Sequence, residues 1–137
     1  MGNGDAYAQI GYFYTLGEGV EKNDSLAFEN YKKAADLKSA NGALNLGVQY
    51  ILGSVTAKDL KEAEKWHIKA VEYGSAEAAW RLYTIYTNGD LFPKDEVKAE
   101  EFLQKALKAK HPEACCLMGY RYYLGKSVEK DNQQAFI

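Results

Sequence analysis

The chain has 137 residues, a formal net charge of −2 and 47% hydrophobic residues, which is an ordinary composition for one globular domain. The near-neutral charge argues against binding to nucleic acid, because phosphate affinity requires a clustered basic surface. The apolar runs are short, and residues 1–20 lack a basic start followed by an apolar core, so we expect neither a membrane span nor a signal peptide.

One motif recurs along the chain with a period of 36 residues. It first appears as Ile10-Gly11-x-x-Tyr14-x-x-Gly17, and its four tyrosines are Tyr14, Tyr50, Tyr86 and Tyr122. A fixed period in this range is the signature of a repeat architecture, in which helix pairs stack to bury their apolar stripes. We therefore predict a single domain over residues 1–137, with units at about 5–39, 41–75 and 77–110 and an incomplete fourth unit at 112–137.

The first unit predicts two helices. Small and apolar side chains share one face of a helix over residues 5–16, namely Ala6, Tyr7, Ile10 and Tyr14. Gly17 stands where a left-handed residue closes a helix, and Asn23 or Asp24 can cap a second helix over residues 24–37. The turn before that cap carries a basic residue in every unit (Lys22, Lys58, Lys94 and Lys130), which we interpret as a solvated position.

The second and third units follow the same plan. Gly53 and Gly89 end their first helices, and Asp59 and Asp95 cap their second helices. Tyr83 stands where the other units carry glycine, so either the two helices are held apart there or a neighbouring side chain is small.

The fourth unit is shorter than the others. Pro112 suits the first turn of a helix, and Gly125 is predicted to end that helix. Asp131 would then cap a second helix that stops at Ile137 after about one turn. The predicted fourth pair is therefore incomplete.

We call a set of positions separated by the 36-residue period a column. The residues in these columns resemble the Sel1-like repeat, a relative of the tetratricopeptide repeat. The first unit keeps the pattern at Ala6, Ile10, Gly11, Tyr14, Gly17, Gly19, Val20, Ala27, Lys33, Ala34 and Ala35. The resemblance implies an all-α, right-handed superhelix of antiparallel helix pairs, without catalysis of its own, whose members hold another protein as adaptors, scaffolds or inhibitors. Disulfide-rich bacterial members carry paired cysteines in each repeat. This chain has only the adjacent Cys115 and Cys116, which favours a reducing compartment.

The resemblance also implies where a partner would sit. At 100° per residue, Asp5, Ala8, Tyr12 and Leu16 lie opposite the predicted inward face of the first helix, on the side that lines the groove in the tetratricopeptide fold. Transferring that side by the period adds positions in the later units, beginning with Asn41 in the second unit, and Tyr123 lies at the edge of the groove. The predicted partner-binding residues are Tyr12, Val48, Glu77, Trp80, Thr84, Glu113, Tyr120 and Tyr123. Tryptophan and tyrosine dominate binding hot spots, but Trp80 and Tyr12 could instead pack against the adjacent repeat. The acidic residues could favour a basic or amide-rich ligand, or only stabilise helix starts.

No pattern for catalysis, a metal or a cofactor stands out. His67 is predicted on the outer side of a helix and His111 in a turn, without carboxylates at ligand spacing. Cys115 falls in a small-residue column that predicts burial, and Cys116 falls in the Trp80 column. We therefore expect a non-catalytic module that binds a protein or peptide in the groove. The alternative is a structural module that assembles through its C-terminal end.

Overall fold

The computed structural model describes the backbone of residues 3–135 and the side chains of residues 3–125, and within these limits the chain forms seven helices. They are α1 (Asn3–Leu16), α2 (Asp24–Asp36), α3 (Ala40–Leu52), α4 (Leu60–Glu72), α5 (Ala76–Asn88), α6 (Glu96–Lys108) and α7 (Pro112–Ala135). The first six form antiparallel pairs that stack in chain order, which confirms the all-α repeat solenoid. None of the described helices combines the length and hydrophobicity of a membrane span.

The turn inside each of the first three pairs is fixed by the residues that the sequence singled out. Gly53 and Gly89 close their helices with φ of 65° and 74°, in the left-handed region that favours glycine. Asn23 caps α2, and the side chains of Asp59 and Asp95 accept hydrogen bonds from the first turns of α4 and α6. Since each cap lies at the predicted position, the predicted helix pairs are confirmed for the first three units.

In the first two pairs, a glycine of the first helix faces a ring on the second helix. A Cβ on Gly11 would lie 2.7 Å from the Tyr31 ring, and a Cβ on Gly47 would lie 2.5 Å from His67 Nδ1. In the third unit the first helix carries the large side chain, since Tyr83 stands in the column of Gly11 and Gly47. Tyr83 packs against the buried cluster that contains Leu103, which is smaller than Tyr31 in the same column.

His67 does not lie on the outer side of its helix as predicted. It is buried, occupies the column of Tyr31 and Leu103, and shares an Nδ1 hydrogen bond of 2.8 Å with the Ala63 carbonyl. The sequence prediction failed because a polar ring was assigned to solvent, whereas Gly47 leaves room for that ring inside the pair. Burial lowers the pKa of the His67 imidazole, since desolvation disfavours the charged form.

This buried imidazole predicts a stability that declines in mild acid. The folded pKa is below the ordinary value of 6.5, so the unfolded chain binds more protons as the pH falls. The stabilisation that depends on neutral His67 is therefore fully present above pH 6.5. Below that pH, the free energy of unfolding should fall by up to about 1.4 kcal/mol per pH unit.

The measurement is urea unfolding at about pH 7.5 and about pH 5.5, in the parent chain and in His67→Leu. Leucine is the residue that the third unit carries at this position. The substitution should remove most of the difference between the two pH values. If the stability of His67→Leu differs between the two pH values as much as that of the parent chain, the pH dependence comes from other titrating groups.

Contacts between units are made by the second helix of one pair and the first helix of the next. Gly42 lies against Ala34, and Leu46 and Leu82 are buried. Their column mates in α1, Ala6 and Ile10, are exposed. The prediction that Ala6 and Ile10 face inward is therefore wrong, because this face is covered by the preceding unit and not by the partner helix of the same pair.

The fourth unit also departs from the prediction. Gly125 does not end a helix, and Asp131 does not begin one, because α7 runs without interruption from Pro112 to Ala135. In the first three units the returning helix has 13 residues and buries an apolar face. In α7, continued helical hydrogen bonding takes the place of the turn that leads into that helix. The predicted end at Ile137 lies outside the described residues.

Candidate functional site

Most predicted partner-binding residues are accessible on one side of the first helices. Tyr12 is 47% exposed and Tyr120 is 60% exposed, whereas Val48 and Thr84 are half-buried. The predicted residues that are more than one-third accessible are Tyr12, Glu77, Glu113, Tyr120 and Tyr123. No partner is present, so their role stays a prediction.

A polar hollow of about 250 Å³ lies between α1 and α3. It is lined by Asp5, Ala8, Gln9, Tyr12, Asn41 and Asn45. The Ser39 hydroxyl donates to Asp5 Oδ1 at 2.9 Å, and Asn45 Nδ2 donates to the Asn41 carbonyl at 2.9 Å, so two of these side chains are held in place. A carboxylate accepts hydrogen bonds from peptide N–H groups, and side-chain amides both donate hydrogen bonds to a peptide backbone and accept them from it. Sequence reasoning missed Gln9 and Asn45, although each lies one turn after a residue assigned to the groove.

Trp80 is less available than predicted. Its ring stacks on His111 with a centroid distance of 5.5 Å and an interplanar angle of 15°, and it lies 5.2 Å from the Tyr83 ring. Its column mates Ala8 and Leu44 are buried. These contacts are those of the packing alternative, in which this column fills the space between adjacent units.

Glu77 joins the same contact. Its carboxylate accepts a hydrogen bond from His111 Nε2 at 2.8 Å and from Arg81 Nε at 3.0 Å. The hydrogen bond from His111 is the main reason that the pKa of Glu77 is lowered. Glu77 therefore links the third unit to the residue just before α7, and part of its charge is compensated there. The buried Nδ1 of His111 has no hydrogen-bond partner among the described residues.

The start of α7 is more open than its columns predict. Cys115 is exposed, not buried, although its column mates Ala43 and Ala79 are almost fully buried. Cys116 is exposed as predicted. Arg121 Nη1 donates to both oxygens of Glu100 at 3.2 Å, which ties α7 to α6. The expectation for Cys115 failed because α7 has no packed antiparallel partner among the described side chains.

The described residues contain no group of three or more metal-ligating side chains in a suitable arrangement. Both cysteines are free thiols. His67 and His111 are each engaged in structural hydrogen bonds. The exposed side of α1 and α3 combines the polar hollow with the aromatic ring of Tyr12.

The Sel1 repeat family matches the chain in four successive segments, at residues 4–39, 40–75, 76–111 and 112–137. The boundaries of all four segments lie within one residue of the unit boundaries predicted from the sequence. Among proteins with curated functions, none gave a significant match.

Solved structures show the same relationship. A Sel1 repeat protein from Oxalobacter formigenes is 34% identical with a TM-score of 0.77, and the match covers 89% of this chain and 50% of that one. A protective antigen with this repeat fold from uropathogenic Escherichia coli is 33% identical with a TM-score of 0.75, over 89% of this chain and 26% of that one.

Cysteine-rich protein B of Helicobacter pylori shares the fold at 24% identity, with a TM-score of 0.69 over 82% of this chain and 90% of that one. The chain spans half the length of the Oxalobacter protein and about a quarter of the E. coli antigen. With four matched segments and two relatives above 30% identity, the chain belongs to the Sel1 repeat family.

Proposed function

We propose that this chain is a non-catalytic module that binds an extended peptide or a loop of another protein along the exposed side of α1, α3 and α5. The observation that carries the proposal is the polar hollow between α1 and α3, where fixed amide and carboxylate groups lie beside the exposed Tyr12 ring. The ring supplies apolar contact area, and the polar groups supply hydrogen bonds to a peptide backbone.

The composition of the hollow favours a particular chemistry. Asp5 supplies a negative charge, whereas Gln9, Asn41 and Asn45 are neutral and can both donate and accept. A segment with backbone amides and a basic side chain complements this set.

Photo-crosslinking tests this proposal. A photoreactive amino acid placed at Val48 should capture a partner from source cells, and the double substitution Tyr12→Ala and Asn41→Ala should reduce that capture at least about tenfold. Val97 on α6 is 80% exposed and lies outside the groove, so the same photoreactive residue there is the matched control. Equal capture from both positions, or capture that survives the double substitution, would contradict binding in the groove.

A second candidate function is self-assembly through α7. Tyr122 is 69% exposed, whereas its column mate Tyr86 is 2% exposed, so α7 presents apolar surface that the third unit buries. Burying such a surface against a second copy would lower the free energy of the pair. Light scattering should then show a mass that rises with concentration and that Tyr122→Ser lowers, with Tyr12→Ser as the control. A monomer at every concentration would contradict self-assembly.

A further inference from the structure

A mostly apolar cavity lies away from the proposed groove, where the second and third units meet. Its volume is about 320 Å³, within the range of small-ligand sites. It is lined by Val71, Glu72, Gly74, Ser75, Ala79, Lys105, Lys108 and Ala109. None of these residues belongs to the predicted groove, so the inference drawn from this cavity does not depend on the proposed function.

The junction between the first and second units provides an internal comparison. Shifting the lining residues back by one period gives Ala35 and Ala43 in place of Val71 and Ala79, and Tyr73 in place of Ala109. At that junction Tyr73 packs against the buried cluster that contains Ala35 and Ala43. At the next junction alanine stands in the column of the tyrosine. The cavity therefore lies where the first junction has the aromatic side chain of Tyr73.

The charge of the lining changes together with its shape. The equivalent positions at the first junction carry Asp36, Lys38, Lys69 and Glu72, which balance. The cavity is lined instead by Glu72, Lys105 and Lys108, so the basic Lys108 stands where the first junction has the acidic Glu72, and Lys105 is compensated by Glu101. The N-terminus of α5 at Gly74 and Ser75 adds the partial positive charge of a helix start. An occupant that complements this lining carries an aromatic ring and a negative charge.

We infer that this cavity is a docking site for an aromatic side chain of a partner peptide that has a carboxylate beside it. The ring would fill the space that Tyr73 fills at the first junction, against Val71 and Ala79. The carboxylate would lie near Lys108, since Lys105 already pairs with Glu101 at 3.5 Å. The site lies at the ends of α4 and α6, so the same module presents a second surface to a partner.

Nuclear magnetic resonance titration of the whole chain tests the site with N-acetyl-L-tyrosine, which carries both groups. Millimolar probe should shift the backbone amide signals of Gly74, Ser75 and Ala109. N-acetyl-L-tyrosinamide, which lacks the carboxylate, should bind several-fold more weakly, and N-acetylglycine, which lacks the ring, should cause no saturable shift. Absence of shifts at the cavity with N-acetyl-L-tyrosine would overturn the inference.

Two variants separate this site from nonspecific binding. Ala109→Tyr restores the residue of the second unit and should abolish the shifts, whereas Leu37→Tyr, at the exposed column mate in the first unit, should leave them unchanged. Lys108→Gln should remove the preference for the probe with a carboxylate, and it tests the charge even if Ala109→Tyr fails to fold. Shifts that persist in a folded Ala109→Tyr variant would overturn the inference. A concentration-dependent dimer that Ala109→Tyr dissolves would also overturn it, because a second copy would then be the occupant.

Discussion

Replacement of Leu82 by alanine is expected to lower the free energy of unfolding by about 3 kcal/mol, within the range for a buried leucine. Leu82 is fully buried in the cluster with Tyr86 and Phe102, where α5 meets the rest of its unit and the preceding one. Removing its branched end deletes apolar contacts and leaves a cavity that the close-packed helices can fill only in part. Since a whole domain is stable by about 5–15 kcal/mol, this loss is a large fraction of the total.

The measurement is equilibrium urea unfolding monitored by circular dichroism, with Ile10→Ala as the matched control. Ile10 belongs to the same column but is 41% exposed, so its truncation should cost less than about 1 kcal/mol. Equal losses for the two variants would show that the first and third units bury this column alike, which would contradict the packing described for α1.

A methyl group added at Gly42 is expected to lower the free energy of unfolding by about 2 kcal/mol, because overpacking costs up to about 3 kcal/mol and the better helix propensity of alanine offsets about 1 kcal/mol of it. Its Cβ would overlap the Cβ of Ala34 and would lie 3.0 Å from the Ala34 carbonyl carbon and the Ala35 nitrogen. Backbone atoms of α2 cannot rotate away as a flexible side chain would, so α3 must shift along its whole length. This effect outweighs the gain of about 1 kcal/mol that alanine normally has over glycine within a helix.

Gly119→Ala is the matched control for Gly42→Ala. Gly119 also lies within a helix, but a Cβ there would meet no atom within 4 Å. Only the helix propensity then operates, and the variant should be more stable by up to about 1 kcal/mol. The comparison would fail if Gly42→Ala unfolded at the same urea concentration as the parent chain.

The parts of the fold that the sequence predicts are those determined within one unit. Gly53 and Asp59 specify a left-handed residue and a helix cap, and both requirements are met by the local backbone alone. The 36-residue period then transfers the same reasoning to Gly89 and Asp95. For this reason the all-α repeat architecture and most helix boundaries were predictable.

The features that the sequence mispredicts depend on which neighbour covers each face. Ile10 and Cys115 carry column identities that elsewhere mean burial, but burial of those columns requires a packed neighbouring helix. His67 is buried because Gly47 makes room for it in the opposite helix of the same pair. The residue types alone do not encode these pairings, since they arise only when the helices are placed together.

In the predicted groove, too, the features set by one helix were predictable and those set by packing between helices were not. The exposure of Tyr12 follows from its angle on the helix, whereas the stacking of Trp80 on His111 could not be read from spacing because the two residues lie far apart in the chain and meet only once the helices pack. Gln9 and Asn45 could have been found by extending the groove side by one helical turn. The partner-binding role of this side remains a prediction.

The stacking of the helices has a mechanical consequence. Within residues 3–135 the substantial contacts join helices that are adjacent or next but one in the chain. A force that pulls the two ends apart is therefore carried by one junction after another, and the junction that resists least gives way first. The helix pairs would then extend one at a time, starting from the least stable junction.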